Sequence, residues 1–193
     1  MKIEESKGVL TLVPIGSFEQ HGPHLPFETD TMIAEAVAKE AAAQIGAKLG
    51  ESIKVGLSPE HMDFPGTKTL TEEEFKDAVL KAGGPNVVFV NGHGGNNRCL
   101  RELGVRHMNL TTIFKPYDHA GEIETSIMMH LRPDLVRQEN IRKHEFTWPK
   151  RDGWRMKDHS ISGILGDPTQ ATLEKGRRYL MKLVDETVKQ VQE

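Results

Sequence analysis

An α/β fold, with a mainly parallel sheet covered by helices on both faces, is what this sequence predicts. Two observations carry that reading. Short apolar runs rich in β-branched residues, VLTLVPI at 9–15 and NVVFV at 86–90, have the continuous hydrophobicity of strands buried on both faces. Between and after such runs the apolar spacing changes to a helical period, and strands alternating with helices imply parallel pairing with crossover connections.

The elements follow in order. Val9–Ile15 is the first strand, ended by Gly16. Ile33, Val37, Ala41, Ile45 and Leu49 recur every four residues as one face of a helix, with Asp30 or Thr31 as its cap. Ile53–Leu57 reads as a second strand. Thr71 followed by Glu74 fits a capping box for a helix running to about Lys81, which Gly83-Gly84-Pro85 ends. After the strand at 86–90, Gly92–Asn97 is a tight loop and Arg98–Asn109 reads as helix. Thr111–Lys115 is the next predicted strand and Glu122–Leu131 a helix stopped by Pro133. Residues 140–165 are irregular, and Thr169–Gln192 closes the chain as a long amphipathic helix.

A chain of 193 residues suits a single domain, residues 1–193, and its 37% hydrophobic and 27% charged content is that of a globular protein. A formal net charge of −3 gives no electrostatic reason to expect nucleic acid or an anionic membrane as a partner. No apolar run is long enough to span a bilayer, and the opening MKIEESKGVL has no secretory apolar core. Cys99 is the only cysteine, so no internal disulfide forms and a reducing, cytoplasmic setting is expected.

Chemistry gathers in three polar clusters, each placed after a predicted strand, where α/β folds collect their functional groups. The first is Glu19-Gln20-His21, with Asp30 at the next helix start. Residues 19 and 21 share one side of an extended chain, so both reach one centre. The second is Asn91-Gly92-His93-Gly94-Gly95-Asn96, and the third His119-Ala120-Gly121-Glu122-Ile123-Glu124. Imidazoles mixed with carboxylates suit Zn, Mn or Fe. Two divalent ions sharing a carboxylate activate a water and polarise a carbonyl together. Taken singly, each cluster is more often an ordinary solvated loop; the three together point to one metal-binding cleft. The glycine-rich NGHGGN loop also fits a phosphate cradle at a helix start, which leaves open an anion-binding, flavodoxin-like module without catalysis.

Other residues carry less. His24 reads as a turn or supporting residue, and His107, His130, His144 and His159 as ordinary helix or surface positions. His61 follows the second predicted strand and either lines the same cleft or lies outside it; neighbouring Glu60 has no assigned role. Trp148 and Trp154 either lid a substrate or pack a peripheral loop, and Cys99 reads as a small core residue.

PIGSFEQHGPHLPFETD at 14–30, GLSPEHMDFPGT at 56–67, NGHGGN at 91–96, HAGEIETS at 119–126 and GILGDPTQATLEKG at 163–176 resemble the creatininase, or creatinine amidohydrolase, family in content and order. The resemblance implies a three-layer α/β/α sandwich with two divalent ions at the carboxyl edge of the sheet, hydrolysing an amide, cyclic amide or formamide bond of a small molecule. It implies Glu19, Asp30 and His93 around one ion and His21, Asp30 and Glu124 around the other, with Asp30 bridging. His119 matches the catalytic histidine, which stabilises the tetrahedral intermediate or protonates the leaving nitrogen, and Glu124 is grouped with it. Glu122 is a spare carboxylate best explained by the helix dipole. Homo-oligomers, often hexamers, are expected. Two departures argue against creatinine as substrate: Gly95 stands where creatininase has a glutamate, and Pro116-Tyr117-Asp118 where it has tryptophans. Branches that deformylate a formylaminopyrimidine of flavin and deazaflavin synthesis, or that cleave a peptide, are the alternatives; the HAGEIE stretch counts against the first.

Overall fold

The computed structural model describes residues 8–115, 118–150 and 153–192. Four parallel strands form one sheet: β1 (Thr11–Ile15), β2 (Lys48–Leu49), β3 (Val87–Asn91) and β4 (His107–Asn109), in the order β2-β1-β3-β4. β1 and β3 pair along their whole lengths, from Thr11 opposite Val87 to Ile15 opposite Asn91. Both central strands therefore end at the same edge, and the polar clusters that follow them start side by side.

Alternation along the strands feeds two cores. Leu12, Val88 and Val90 pack with α1 (Thr29–Ile45), α4 (Glu122–Leu131) and α6 (Leu173–Gln192). Val13, Ile15 and Phe89 pack on the other face with Phe75 and Val79 of α2 (Glu72–Ala82) and Cys99 and Leu100 of α3 (Asn97–Glu102). The result is the expected three-layer α/β/α sandwich. α2 starts at the expected capping box: Thr71 Oγ1 accepts from Glu74 N, and Glu74 Oε2 accepts from Thr71 N. Among the described residues no helix is long and apolar enough to cross a membrane.

Several boundaries differ from the sequence reading. α1 stops at Ile45 because Gly46 turns left-handed at φ 70°, so Leu49 lies in the short edge strand β2 instead of the helix. Ile53–Leu57 is no strand; Ile53 makes a single bridge to Ile15 before the chain turns away. The helix expected over 98–109 ends at Glu102, where Gly104 (φ 65°) reverses the chain, and β4 takes up His107. The strand expected at 111–115 is absent; Leu110–Thr112 is a 3-10 turn, in which Thr111 N donates to the Asn109 side chain. α6 begins at Leu173, because Asp167 caps a separate turn at Pro168–Gln170. The irregular stretch includes a four-residue helix, α5 (Met156–His159). Neither proposed cap of α1 acts as one: Asp30 lies inside the first turn and Glu28 occupies the cap position without a side-chain bond. Pro116 and Tyr117, one of the noted departures, lie outside the described residues.

Candidate metal centre

Glycines and asparagines set the strand ends. A side chain at Gly16 would strike the Thr31 backbone, and one at Gly92 would strike the Asp30 carbonyl, so α1 starts pressed against the ends of β1 and β3. Asn96, fully buried, donates to the Gly16 carbonyl (3.0 Å) and to Asn91 Oδ1 (3.0 Å) and accepts from Leu57 N (2.9 Å). One carboxamide thus ties together the loops after β1, after β3 and before residue 58. The third cluster is held by His119 and Leu165, which exchange backbone hydrogen bonds of 2.9 Å in both directions. Ala120 takes a left-handed conformation (φ 52°), unusual for a residue with a Cβ. That turn lets Ala120 N donate to Glu124 Oε2 at 2.6 Å.

The structure brings all five sequence-proposed ligands, and His119, to one buried centre. Asp30 stands in the middle: Oδ1 is 3.1 Å from His21 Nε2 and Oδ2 is 3.1 Å from His93 Nδ1. Ser17 Oγ donates to Oδ2 at 2.8 Å. Glu124 Oε2 is 3.7 Å from His21 Nε2. Glu19 reaches His93 Nε2 with one oxygen (3.3 Å) and His61 Nε2 (3.3 Å) and His119 Nδ1 (3.6 Å) with the other. Three sets of potential ligand atoms each fall within 4.8 Å of one another: Glu19 with His61 and His119, His21 with His119 and Glu124, and Glu19 with His21 and Asp30.

Three of the imidazoles are anchored from behind by backbone carbonyls. His21 Nδ1 meets the Glu19 carbonyl (3.0 Å), His93 Nε2 the Leu57 carbonyl (2.9 Å) and His119 Nε2 the Gln20 carbonyl (2.9 Å). A carbonyl only accepts, so each anchoring nitrogen carries the proton and the other nitrogen presents a lone pair. Those lone pairs face carboxylate oxygens, which are acceptors too. Both oxygens of Glu19, fully buried, have no hydrogen-bond donor. Acceptors facing acceptors out of water call for a cation, and outer-nitrogen anchoring is how metal-ligating histidines are oriented. The residues therefore fit a divalent metal.

The titration behaviour agrees. Burial alone would lower the His21 imidazole, but Asp30, Glu124 and Glu19 raise it to about 10, and His93 is likewise raised by Glu19 and Asp30. Burial would raise Glu19 and Asp30, yet His61 and His93 hold Glu19, and His21 and His93 hold Asp30, well below the usual carboxyl range. Without metal, protons fill the cation's place. His61 goes the other way, lowered by burial to about 4, and His119 is pushed well down by burial and by His21 and His61.

The centre forms the floor of a cavity of about 940 Å³, walled by Glu60, Arg101, Trp148, Trp154 and Leu165 among others. His61, left open by the sequence, is in the site, and Trp148 and Trp154 both line its cavity. Glu60 Oε1 lies 3.9 Å from His93 Nε2, next to the place a side chain at Gly95 would occupy. No side chain fits at 95, since its Cβ would meet the Leu57 carbonyl and His93. His24 is a buried support, its Nε2 2.8 Å from Thr125 Oγ1. His159 sits apart, bonded to Thr147. Sequence reasoning missed Gln20, Ser17, Asn96 and Asp118. Gln20 reaches His61 Nδ1 (2.9 Å) and the Gly163 carbonyl (3.0 Å), while Asp118, buried, caps α4 by accepting from Ile123 N at 2.7 Å.

Fold and site together define an α/β/α protein with an acid–histidine centre of the kind that holds divalent metal. A model of the creatininase family, described as creatinine amidohydrolase, matches residues 1–191, and the chain belongs to that family of hydrolases. It is 36% identical over 209 residues to a mycofactocin precursor peptide peptidase of Mycobacterium tuberculosis, covering 93% of this chain and 83% of the relative. It is 26% identical over 216 residues to the creatinine amidohydrolase of Pseudomonas putida, covering 88% and 83%. Among solved structures, a manganese creatininase superposes with a TM-score of 0.80 at 24% identity, over 95% of this chain and 90% of that one.

Proposed function

We propose that this protein is a metal-dependent amidohydrolase with two divalent ions per chain, Zn, Mn or Fe, and that it cleaves a C–N bond of a small peptide. The observation that carries the reading is the convergence of Glu19, His21, Asp30, His93 and Glu124 at one centre beside His119, with Glu19, Asp30, His93 and Glu124 lining a cavity. Glu19, Asp30 and His93 would hold one ion, and His21, Asp30 and Glu124 the other. Bound there, the ions would activate a water and polarise the scissile carbonyl.

The chain's own groups supply the rest. Asp30, with an oxygen toward each half, holds the two sides in register. His119 Nδ1, a lone pair directed at the centre, takes a proton from the attacking water and returns it to the leaving nitrogen as the C–N bond breaks. Trp148 and Trp154 give the cavity apolar walls that exclude water around a bound side chain. The peptide is favoured over creatinine because the peptidase relatives share more of the sequence, 36% against 26%. A 940 Å³ cavity also has room for several residues' worth of substrate.

The test is metal analysis of the purified protein, followed by a panel of short peptides, formamides, lactams and creatinine with Zn, Mn or Fe added. Peptide hydrolysis that chelator removes and metal restores is expected. Absence of bound transition metal together with absence of C–N hydrolysis would overturn the assignment.

A further inference from the structure

Of the four imidazoles at the centre, His61 is held differently. Its Nδ1 meets no carbonyl; it lies 2.9 Å from the Gln20 side-chain nitrogen. The orientation of that carboxamide is fixed at both ends. Gln20 Oε1 accepts from Gly22 N at 2.9 Å, so the nitrogen end faces the rings. One of its two N–H groups goes to the Gly163 carbonyl at 3.0 Å. The other has two ring nitrogens in range, His61 Nδ1 at 2.9 Å and His119 Nε2 at 3.2 Å. His119 Nε2 already donates to the Gln20 backbone carbonyl and has no lone pair to offer. His61 Nδ1 is the acceptor that remains.

We propose that Gln20 is a positioning residue that fixes His61 as the Nε2–H tautomer, so that His61 presents an N–H toward Glu19 and is not a metal ligand. An imidazole whose Nδ1 accepts must carry its proton on Nε2, the atom 3.3 Å from Glu19 Oε1. One residue therefore sets two neighbouring histidines to opposite uses. Its backbone carbonyl leaves His119 with a bare Nδ1 toward the centre, and its side chain leaves His61 with an N–H toward the centre. Gly163 belongs to the same device: at φ 77° and against the Gln20 carboxamide, it has no room for a Cβ. His61 falls in one of the candidate ligand sets with Glu19 and His119, and the tautomer removes it from the ligands.

The inference rests on the amidohydrolase reading for its catalytic meaning, but its first test does not need activity. Long-range ¹H–¹⁵N correlation spectra of metal-free, ¹⁵N-histidine-labelled protein report which ring nitrogen carries the proton, with His61→Gln supplying the assignment. His61 and His119 are both expected as Nε2–H tautomers. In Gln20→Met, which donates nothing, the His61 pattern should move toward Nδ1–H while His119, held by the backbone, stays unchanged. Gln20→Glu, which can only accept, should invert His61 if the methionine variant does not fold. Wild-type His61 found as Nδ1–H, or a His61 pattern indifferent to the side chain at 20, overturns the proposal. His61→Gln should keep the full metal-to-protein ratio; loss of an ion would make His61 a ligand and also overturn it. Where peptide turnover is measurable, kcat/KM of Gln20→Met should fall by about 10–100-fold, the usual cost of losing an outer-shell partner. A protein with the expected tautomers and no peptidase activity would sink the substrate reading alone.

Discussion

Asp30 sits at the middle of the site, with Ser17, His21 and His93 all within 3.1 Å of its two oxygens. Asp30→Asn replaces one oxygen by a donor and faces it toward an imidazole. Elemental analysis of the variant should show the metal-to-protein ratio reduced by at least one ion, and a variant that still loads two would refute the bridging role. Asp118 offers a different readout. Burial raises its carboxyl to about 7, despite backbone N–H groups of Ile123 and Glu124 that lower it. A carboxyl whose pKa is raised on folding contributes stability below its unfolded value, near 4, and loses it as pH rises through about 7. Asp118→Asn has no such proton to lose. The stability of the wild type relative to this variant should therefore drop between pH 4 and pH 8, measured by urea unfolding across that range. At this scale the convergence of Glu19, His21, Asp30, His93, His119 and Glu124 was largely legible, because acids and histidines stand out in a sequence. Gln20 was not, since a neutral carboxamide between Glu19 and His21 gives no compositional signal, and its contacts are with ring nitrogens of distant residues.

Elements were legible where a long period could be read and illegible where it could not. α4 matches its expected span because Pro133 and the HAGE turn bracket ten residues of clear pattern. β2 and β4, at two and three residues, are too short to show any alternation, and each took residues the helical period had claimed. What positions them is pairing with β1 and β3, which only the folded chain reveals. Two predictions belong here. Phe75, fully buried, anchors α2 to the sheet, so Phe75→Ala should cost about 3–5 kcal/mol in denaturant unfolding. Gly176 lets α6 lie directly on α4, where any side chain would strike the Ser126 carbonyl. Gly176→Val should separate those helices, lowering the melting temperature and, through α4, weakening metal retention by Glu124 in equilibrium dialysis.

For the molecule as a whole, metal and proton compete for one buried centre. With metal removed, His21 keeps its proton to about pH 10, held there by Asp30, Glu124 and Glu19 against the effect of burial. A raised histidine stabilises the fold fully below its ordinary value of about 6.5 and stops doing so as pH rises through its folded value. The chelated protein should therefore lose thermal stability between pH 8 and pH 10.5. The metal-loaded protein, whose cation replaces that proton, should melt at a higher temperature and change little across the same interval. Equal pH profiles with and without chelator would count against a metal at these residues.

Asp30 lies in the first turn of a seventeen-residue helix, not on a loop. Its backbone is fixed by that helix, and a hydroxyl and two imidazoles brace its carboxylate. For the proposed metal site the expectation is selectivity: calcium, which wants six to eight oxygens at roughly 2.3–2.6 Å, should load poorly in equilibrium dialysis, while compact first-row ions that accept nitrogen should load.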